Sequence, residues 1–187
     1  MTLRRFDLIA FDWDGTLFDS TAIIARCIQA AVLDVGGKKP SDEAASYVIG
    51  LGWNQALAHV APEVSPERYP LLSERYRHHY FAIQHEISLF DGVLPMLAAL
   101  RTRGHLLAVA TGKSRLGLER ALDHSGLRPL FLSSRCADEC HSKPHPQMLE
   151  ELMAEFGVMP EATLMIGDTS HDLLMASNAG VDALGVT

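Results

Sequence analysis

Two carboxylates stand two residues apart near the start of the chain, where an apolar run meets a glycine. Residues 6–10 read as a buried strand, and Asp12, Asp14 and Gly15 follow at its end. Two acids this close repel each other unless a cation or a shared proton relieves them. The pair indicates metal-assisted chemistry, in which one acid attacks a substrate and the other moves protons. A turn whose aspartates only cap a helix fits the same residues, and this motif alone does not separate the two interpretations.

A hydroxyl, a glycine amide and a lysine follow at later points where the chain enters a helix. Thr111 and Gly112 end a predicted strand just before a helix N-terminus, where backbone N–H groups and the helix dipole bind anions. Lys143 precedes Pro144, which holds its backbone extended at the start of another helix, so a nearby anion would relieve its repulsion from the dipole. Taken alone, each feature also fits ordinary turn chemistry or an exposed loop lysine.

A second pair of carboxylates follows another predicted strand. Asp168 leaves the strand at residues 163–167, and Asp172 lies one helical turn further on, so both side chains can face one cavity. Clusters of carboxylate oxygens suit Mg²⁺. Helix capping by Asp168 and a favourable dipole interaction of Asp172 explain the same residues. Only the combination of acids, hydroxyl and lysine at one sheet edge is hard to explain by structure alone.

Alternating strands and helices must position these groups. Helices between short apolar runs predict parallel βαβ units and a doubly wound, Rossmann-like α/β sheet covered on both faces. The carboxyl ends of parallel strands share one edge of such a sheet, where ligands bind. No helix follows the last strand, which leaves open an exposed edge or a continuation beyond Thr187. The predicted strands span residues 6–10, 105–111, 130–134, 163–167 and 181–186, and the predicted helices span residues 91–103, 114–125, 145–156 and 170–179.

One interval is too long for a crossover connection. The first two predicted strands are about 90 residues apart, whereas a βαβ unit needs only a few tens of residues. Residues 20–87 read as helical throughout and predict a cap inserted into a core of residues 1–19 and 88–187. A lid that excludes water from the site and an extra helical layer both fit this insertion. Its turn at residues 50–53 either reaches over the site or simply joins two cap helices around Trp53. The predicted cap helices span residues 21–35, 41–49, 54–59 and 65–85.

The composition is that of a globular protein with an acidic balance. The 187 residues carry a formal net charge of −7, which argues against nucleic acid or an anionic membrane as partner but not against a phosphorylated metabolite. Cys27, Cys136 and Cys140 are too few for a disulfide framework and favour a reducing compartment. No apolar run reaches the roughly 18 residues of a membrane span, and no signal peptide is evident, so a cytoplasmic protein is expected.

Taken in order along the chain, these motifs resemble the four motifs of the haloacid dehalogenase superfamily. The motifs are Asp12-Trp13-Asp14-Gly15-Thr16, Thr111-Gly112, Lys143-Pro144 and Gly167-Asp168 with Asp172. The resemblance spans nearly the whole chain. The helical insertion is similar to the cap of the branch that contains phosphoglycolate phosphatases and β-phosphoglucomutase, and residues 89–93 and 176–180 are similar to that branch as well.

The resemblance implies a reaction through an aspartyl-phosphate. Asp12 would attack phosphorus, and Asp14 would protonate the leaving oxygen and then deprotonate the attacking water. Thr111, the Gly112 amide and Lys143 would neutralise the phosphoryl oxygens.

The resemblance also implies Mg²⁺ as cofactor. Trp13 and Gly15 would contribute to phosphate binding through their backbone, with the Trp13 side chain packed inside. The implied metal-binding residues are Asp12, Asp14 through its carbonyl, Asp168 and, in a supporting role, Asp172.

The reaction and the substrate stay open at this point. Asp14 favours phosphoryl transfer over dehalogenation, because a halide leaves without needing a proton donor. A phosphatase acting on a small phosphorylated metabolite is the main expectation, with phosphoglycolate as the first candidate. A phosphosugar mutase of the β-phosphoglucomutase type would share every core residue, and a regulatory or protein-binding module on the same fold is the non-enzymatic alternative.

Overall fold

The structure is a computed structural model that describes residues 5–187. Its strands are β1 (Leu8–Phe11), β2 (Phe18–Asp19), β3 (Ser88–Leu89), β4 (Leu106–Thr111), β5 (Ser133–Cys136), β6 (Thr163–Gly167) and β7 (Asp182–Gly185). Its α-helices are α1 (Thr21–Asp34), α2 (Asp42–Tyr47), α3 (Trp53–Val60), α4 (Tyr69–Ile83), α5 (Val93–Thr102), α6 (Arg115–Ser125), α7 (Gln147–Phe156) and α8 (Ser170–Asn178). Within residues 5–187, no helix is long and apolar enough to cross a lipid bilayer.

β1 lies at the centre of a five-stranded parallel sheet of order β5-β4-β1-β6-β7. Successive side chains of a strand point to opposite faces. Ile9 and Phe11 therefore pack with residues of α5 and α6, whereas Leu8 and Ala10 pack with residues of α7 and α8. This is the doubly wound α/β fold that the sequence predicted. The order of the strands reverses at β1, so its carboxyl end is where such a sheet binds ligands.

The helices α1 to α4 form a cap with a hydrophobic core of its own. Ile28 of α1, Leu57 of α3 and Leu72 of α4 are buried in this core. The chain leaves the sheet through β2 and returns through β3, and these two short strands pair antiparallel, with Phe18 opposite Leu89. The path out of the core and the path back into it therefore lie side by side.

The predicted strand at residues 130–134 is wrong in its position. Arg128–Leu130 form a 3-10 turn, and the strand β5 starts only at Ser133. Leu130 and Phe131 pack against the core from the connecting loop, and an apolar run alone does not distinguish such a loop from a strand. β5 lies at the edge of the sheet and is mostly polar.

The predicted helix at residues 65–85 is interrupted. Pro66–Arg68 form a 3-10 turn, and α4 begins at Tyr69 with Pro70 in its first turn, where a backbone N–H is not needed. The predicted helix at residues 145–156 begins later, at Gln147. The pair of β2 and β3 escapes prediction because two residues are too few to show alternation.

Candidate active site

Asp12 follows β1 directly and is almost completely buried. Its backbone N–H donates to the carbonyl of Ile166 in β6 (2.9 Å), which extends the sheet pairing beyond β1. Its Oδ1 accepts a hydrogen bond from Lys143 Nζ (2.6 Å), whereas Oδ2 is buried without a hydrogen-bond partner among the described residues. Burial raises the pKa of Asp12 to about 7, against the lowering effect of Lys143. A cation beside Oδ2 would stabilise the ionised carboxylate.

Lys143 connects two of the predicted acids. Its completely buried Nζ lies 2.6 Å from Oδ1 of Asp12 and 2.6 Å from Oδ1 of Asp172. Burial alone would lower the pKa of Lys143, but the two carboxylates raise it, so the ammonium group stays charged. The anion that the sequence predicted beside Lys143 is therefore a pair of carboxylates. The peptide bond between Lys143 and Pro144 is cis.

Asp172 orients Lys143 and also caps a helix. Its Oδ2 accepts hydrogen bonds from the backbone N–H (3.1 Å) and the hydroxyl (2.7 Å) of Thr169, which completes a capping box at the start of α8. Burial would raise the pKa of Asp172, but Lys143 and these hydrogen bonds lower it. The N-cap of α8 is therefore Thr169 and not Asp168, and Asp172 completes the cap while it also pairs with Lys143.

Asp168 lies over the first motif. Its Oδ1 accepts a hydrogen bond from Thr16 Oγ1 (2.9 Å), and its Oδ2 lies directly against Gly15. Gly15 has a φ of +83°, and a Cβ at this position would collide with the Asp168 carboxylate. The site therefore needs glycine here for its backbone conformation and for the close approach. Burial raises the pKa of Asp168, although the hydrogen bond from Thr16 opposes this change.

Three of these carboxylates are close enough to bind one metal ion. One oxygen from each of Asp12, Asp168 and Asp172 lies within 4.8 Å of the other two. Hard oxygen donors and the unpartnered Oδ2 of Asp12 fit Mg²⁺. Both oxygens of Asp172 already accept hydrogen bonds, so Asp12 and Asp168 are the better placed direct ligands.

Asp14 does not belong to this cluster but borders a cavity beneath the cap. Its Oδ1 accepts a hydrogen bond from Ser20 Oγ (2.8 Å), and its Oδ2 lies 2.8 Å from Lys113 Nζ. The ammonium group of Lys113 is also 3.5 Å from the hydroxyl of Tyr80 on α4. Burial alone would lower the pKa of Lys113, but Asp14 and the neighbouring tyrosines raise it. The Asp14 carboxylate is thus held on two sides.

The other predicted phosphate-binding residues differ in their surroundings. Thr111 is buried at the end of β4, and its Oγ1 accepts a hydrogen bond from the backbone N–H two residues later (3.2 Å). Gly112 lies under the cap, where a Cβ would stand 2.5 Å from the carbonyl oxygen of Gly50. The side chain of Trp13 stacks on Phe18 in the hydrophobic core, with 4.8 Å between ring centroids. Any contribution of Trp13 to phosphate binding therefore belongs to its backbone.

Hydrogen bonds from the turn at residues 50–53 and from α2 connect the cap to the edge of the sheet that carries these acids. The backbone N–H of Gly52 donates to Ser142 Oγ (2.5 Å), next to Lys143. His171 at the start of α8 bonds the carbonyl of Tyr47 in α2 through Nε2 (2.8 Å). The turn at residues 50–53 therefore reaches the core, and the lid and the extra helical layer both fit these contacts.

Trp53, at the end of this turn, packs inside the cap. Its ring lies 4.6 Å from that of Tyr76, and its Nε1 donates a hydrogen bond to Ser73 Oγ. This agrees with the second interpretation of the turn, in which Trp53 supports the cap. The glycines of the turn meet the core, and the indole holds the turn to α4.

Three residues that orient the acids were missed in the sequence: Thr16, Ser20 and Lys113. Each bonds a carboxylate of the site, Thr16 to Asp168 and the other two to Asp14. A signal existed for Lys113, because it directly follows the Gly112 amide at a helix start. Thr16 and Ser20 resemble ordinary turn and helix-capping residues, which is why their types alone did not distinguish them.

The doubly wound core, the acids at the ends of neighbouring strands and the helical cap together define a capped enzyme with a Rossmann-like α/β fold. Residues 9–186 match the family described as haloacid dehalogenase-like hydrolase, and the chain belongs to that family.

The chain is also similar to individual proteins. The chain is 36% identical over 189 residues to the probable phosphatase IndB of Dickeya dadantii (strain 3937), which covers 96% of this chain and 80% of the relative. It is 32% identical over 197 residues to a phosphoglycolate phosphatase of Vibrio vulnificus (strain YJ016), and this match covers 100% of this chain and 86% of the relative. The crystal structure of a predicted phosphoglycolate phosphatase from Haemophilus somnus 129PT matches with a TM-score of 0.85 at 26% sequence identity. The match covers 99% of this chain and 87% of the chain in that crystal structure.

Proposed function

We propose that the protein is a Mg²⁺-dependent phosphatase that hydrolyses a small phosphorylated metabolite through an aspartyl-phosphate. The observation that carries this proposal is the carboxylate of Asp12, which is bonded to Lys143 through one oxygen and buried without a partner at the other. Such a group has one oxygen positioned by the protein and one available to a cation. Family membership and the names of the relatives support the same reaction class.

Asp12 is the nucleophile in this proposal. One of its carboxylate oxygens bonds to phosphorus while the bond from phosphorus to the leaving oxygen breaks, and Asp14 gives a proton to that oxygen. In the second step Asp14 takes a proton from water, whose oxygen attacks the same phosphorus and releases phosphate and free Asp12. Lys143, the Thr111 hydroxyl and the Gly112 amide stabilise the charge on the phosphoryl oxygens.

Asp12 and Asp168 would hold the Mg²⁺, with the carbonyl of Asp14 as a further ligand. When bound, the ion supplies positive charge that offsets the charge of the substrate phosphate. Asp172 keeps Lys143 beside Asp12 through its own ion pair at 2.6 Å. Lys143 in turn bridges the two acids, which holds the Asp12 carboxylate in one orientation.

Phosphate release from p-nitrophenyl phosphate tests the proposal. We expect turnover that requires Mg²⁺ and falls by about 10³-fold or more in Asp12→Asn, because the substitution removes the nucleophile. Asp91→Asn, which changes an exposed aspartate outside the site, is the matched control and keeps full activity. Equal turnover by Asp12→Asn, or turnover independent of divalent cations, would contradict the proposal.

The natural substrate and the mutase alternative need separate assays. Phosphoglycolate is the first substrate to assay, because relatives are named for it. β-Glucose 1-phosphate tests mutase activity, which would yield glucose 6-phosphate in place of inorganic phosphate. A cytoplasmic location is part of the same proposal, and its basis is the free state of Cys27, Cys136 and Cys140.

A further inference from the structure

A cavity of about 340 Å³ lies between the cap and the core. Its walls come from the cap helices α1, α3 and α4, from the turn at residues 50–53 and from the start of α6. Asp14 and Gly112 both border it. The inference that follows rests on the proposed function, in which Asp14 protonates the leaving oxygen. The leaving alcohol must then lie in the space that the Asp14 carboxylate borders, and that space is this cavity.

Apolar side chains form most of the cavity wall. They come from α1, α3 and α4 of the cap, from the segment between α2 and α3, and from α6 of the core. They include Ile24, Ile28, Trp53, Tyr76, Phe81 and Leu116.

Several polar groups on the wall are already engaged within the protein. The Nε1 of Trp53 donates to Ser73 Oγ, which itself donates to a backbone carbonyl at 2.7 Å. Lys113 pairs with Asp14 at 2.8 Å and lies 3.5 Å from the Tyr80 hydroxyl.

Arg77 and Arg120 also line the cavity, and the guanidinium of Arg120 lies over the Phe81 ring, 5.0 Å from its centroid. Away from these two cations, a substrate rich in hydroxyl groups would lose its hydrogen bonds to water and would find few replacements.

We propose that the substrate is the phosphate monoester of an alcohol that carries a ring-sized apolar group, which packs against Ile28, Tyr76 and Phe81. The two carbons of glycolate would leave most of the cavity unfilled. A sugar would bury hydroxyl groups against an apolar wall. An apolar ring instead releases water from the wall and fills the space beside Asp14.

The comparison of three phosphate monoesters tests this inference. 2-Phenylethyl phosphate, 2-phosphoglycolate and glucose 6-phosphate all release a primary alcohol, so the demand on Asp14 is similar and the organic group is the main difference. We expect kcat/KM for 2-phenylethyl phosphate to exceed that of either other substrate by about tenfold or more.

A matched pair of variants locates the effect in the cavity. Phe81 and Phe90 are 38% and 37% exposed, but only Phe81 lines the cavity. We expect Phe81→Ala to lower kcat/KM for 2-phenylethyl phosphate about tenfold and to leave that for 2-phosphoglycolate within about twofold. Phe90→Ala leaves both values unchanged. Leu116→Ala, at a 60% exposed position on α6, is a second variant with little risk to folding and the same expected selectivity.

The outcomes separate this inference from the proposed function. Turnover of p-nitrophenyl phosphate together with a preference for 2-phosphoglycolate or glucose 6-phosphate would overturn the inference alone. Equal losses for all substrates in Phe81→Ala and Leu116→Ala would overturn it as well. A protein that hydrolyses none of these phosphate monoesters would overturn the proposed function and the inference together.

Discussion

The Asp14 carboxylate has two partners, and one of them is supplied by the segment that follows the second motif. Ser20 donates to one oxygen, and Lys113 lies 2.8 Å from the other. Lys113 also lies 3.5 Å from the hydroxyl of Tyr80 on the cap. The orientation of Asp14 therefore depends on both the core and the cap, because each supplies part of the same chain of contacts.

Replacing Lys113 by methionine keeps much of the side-chain volume but removes the cation beside Asp14. We expect kcat for 2-phenylethyl phosphate to fall about 10²-fold, because general acid–base catalysis contributes about 10² to 10⁴ and the acid is no longer held. Turnover of p-nitrophenyl phosphate should fall less, because its leaving group needs no proton. Steady-state kinetics with both substrates measure this difference.

The control for this prediction is Lys38→Met, which changes an exposed lysine of the cap loop. It should leave both substrates unaffected. Identical losses for the two substrates in Lys113→Met would argue that Lys113 supports the fold and does not position the acid.

The residue types of the site were largely predictable, whereas their pairings were not. Asp12, Asp14 and Lys143 each had an ordinary structural explanation, and only their combination with the resemblance to a family predicted a shared site. The sequence does not reveal that Asp12 pairs with Lys143 while Asp14 pairs with Lys113. Each lysine lies about 100 or more residues after its aspartate in the chain. The two residues of a pair come into contact only because the ends of neighbouring strands lie at one edge of the sheet.

At the scale of elements, the loop after β4 and the cap turn at residues 50–53 fit against each other without room for a side chain. We expect Gly112→Ala to lower kcat/KM at least tenfold without unfolding the core. The new Cβ would stand 2.5 Å from the Gly50 carbonyl, so the turn must move away from the site. Kinetics, with circular dichroism as the check on folding, measure the effect.

Gly185→Ala is the matched control, because a Cβ at Gly185 would meet its nearest neighbour at an ordinary 3.8 Å. This variant should behave like the unchanged protein. Full activity of Gly112→Ala would show that the closed contact between turn and loop is not needed for turnover.

The helices and strands were predictable where the hydrophobic periodicity and the capping residues indicate the same ends. Helix α6 begins after Ser114, whose side chain accepts from Gly117 N–H, and ends at Gly126 with a φ of +69°, as its flanking residues predict. β5 was misplaced because its hydrophobic neighbours lie in a loop, while the strand itself is mostly polar. Contacts with the rest of the sheet, which a local pattern does not contain, decide such an edge strand.

At the scale of the whole molecule, we propose that residues 20–87 are a separate unit inserted into the core. The cap and the two faces of the sheet each have their own hydrophobic cluster. Asp19 and Ser88 stand opposite each other in the pairing of β2 with β3. A two-residue turn fits between such positions, because antiparallel strands are joined by tight hairpins.

Replacing residues 20–87 by Asn-Gly tests this division. We expect a folded core with cooperative thermal unfolding by circular dichroism, since the sheet and its two helical layers remain. Turnover of p-nitrophenyl phosphate should fall, because Ser20 and Tyr80 are removed, and the preference for 2-phenylethyl phosphate should disappear. A core that fails to fold would contradict the proposed division, and a retained preference would contradict the role of the cap.

The central position of β1 also has a consequence for the order in which the protein folds. β1 is synthesised first, but its neighbours β4 and β6 follow about 100 and about 150 residues later, and such distant pairings form slowly. The cap core draws on residues between Ile24 and Tyr80, so the cap can assemble while the sheet is still incomplete. The strand that leads to Asp12 therefore lacks at least one of its two partner strands until β6 has been synthesised, and an unpaired apolar strand is prone to aggregation.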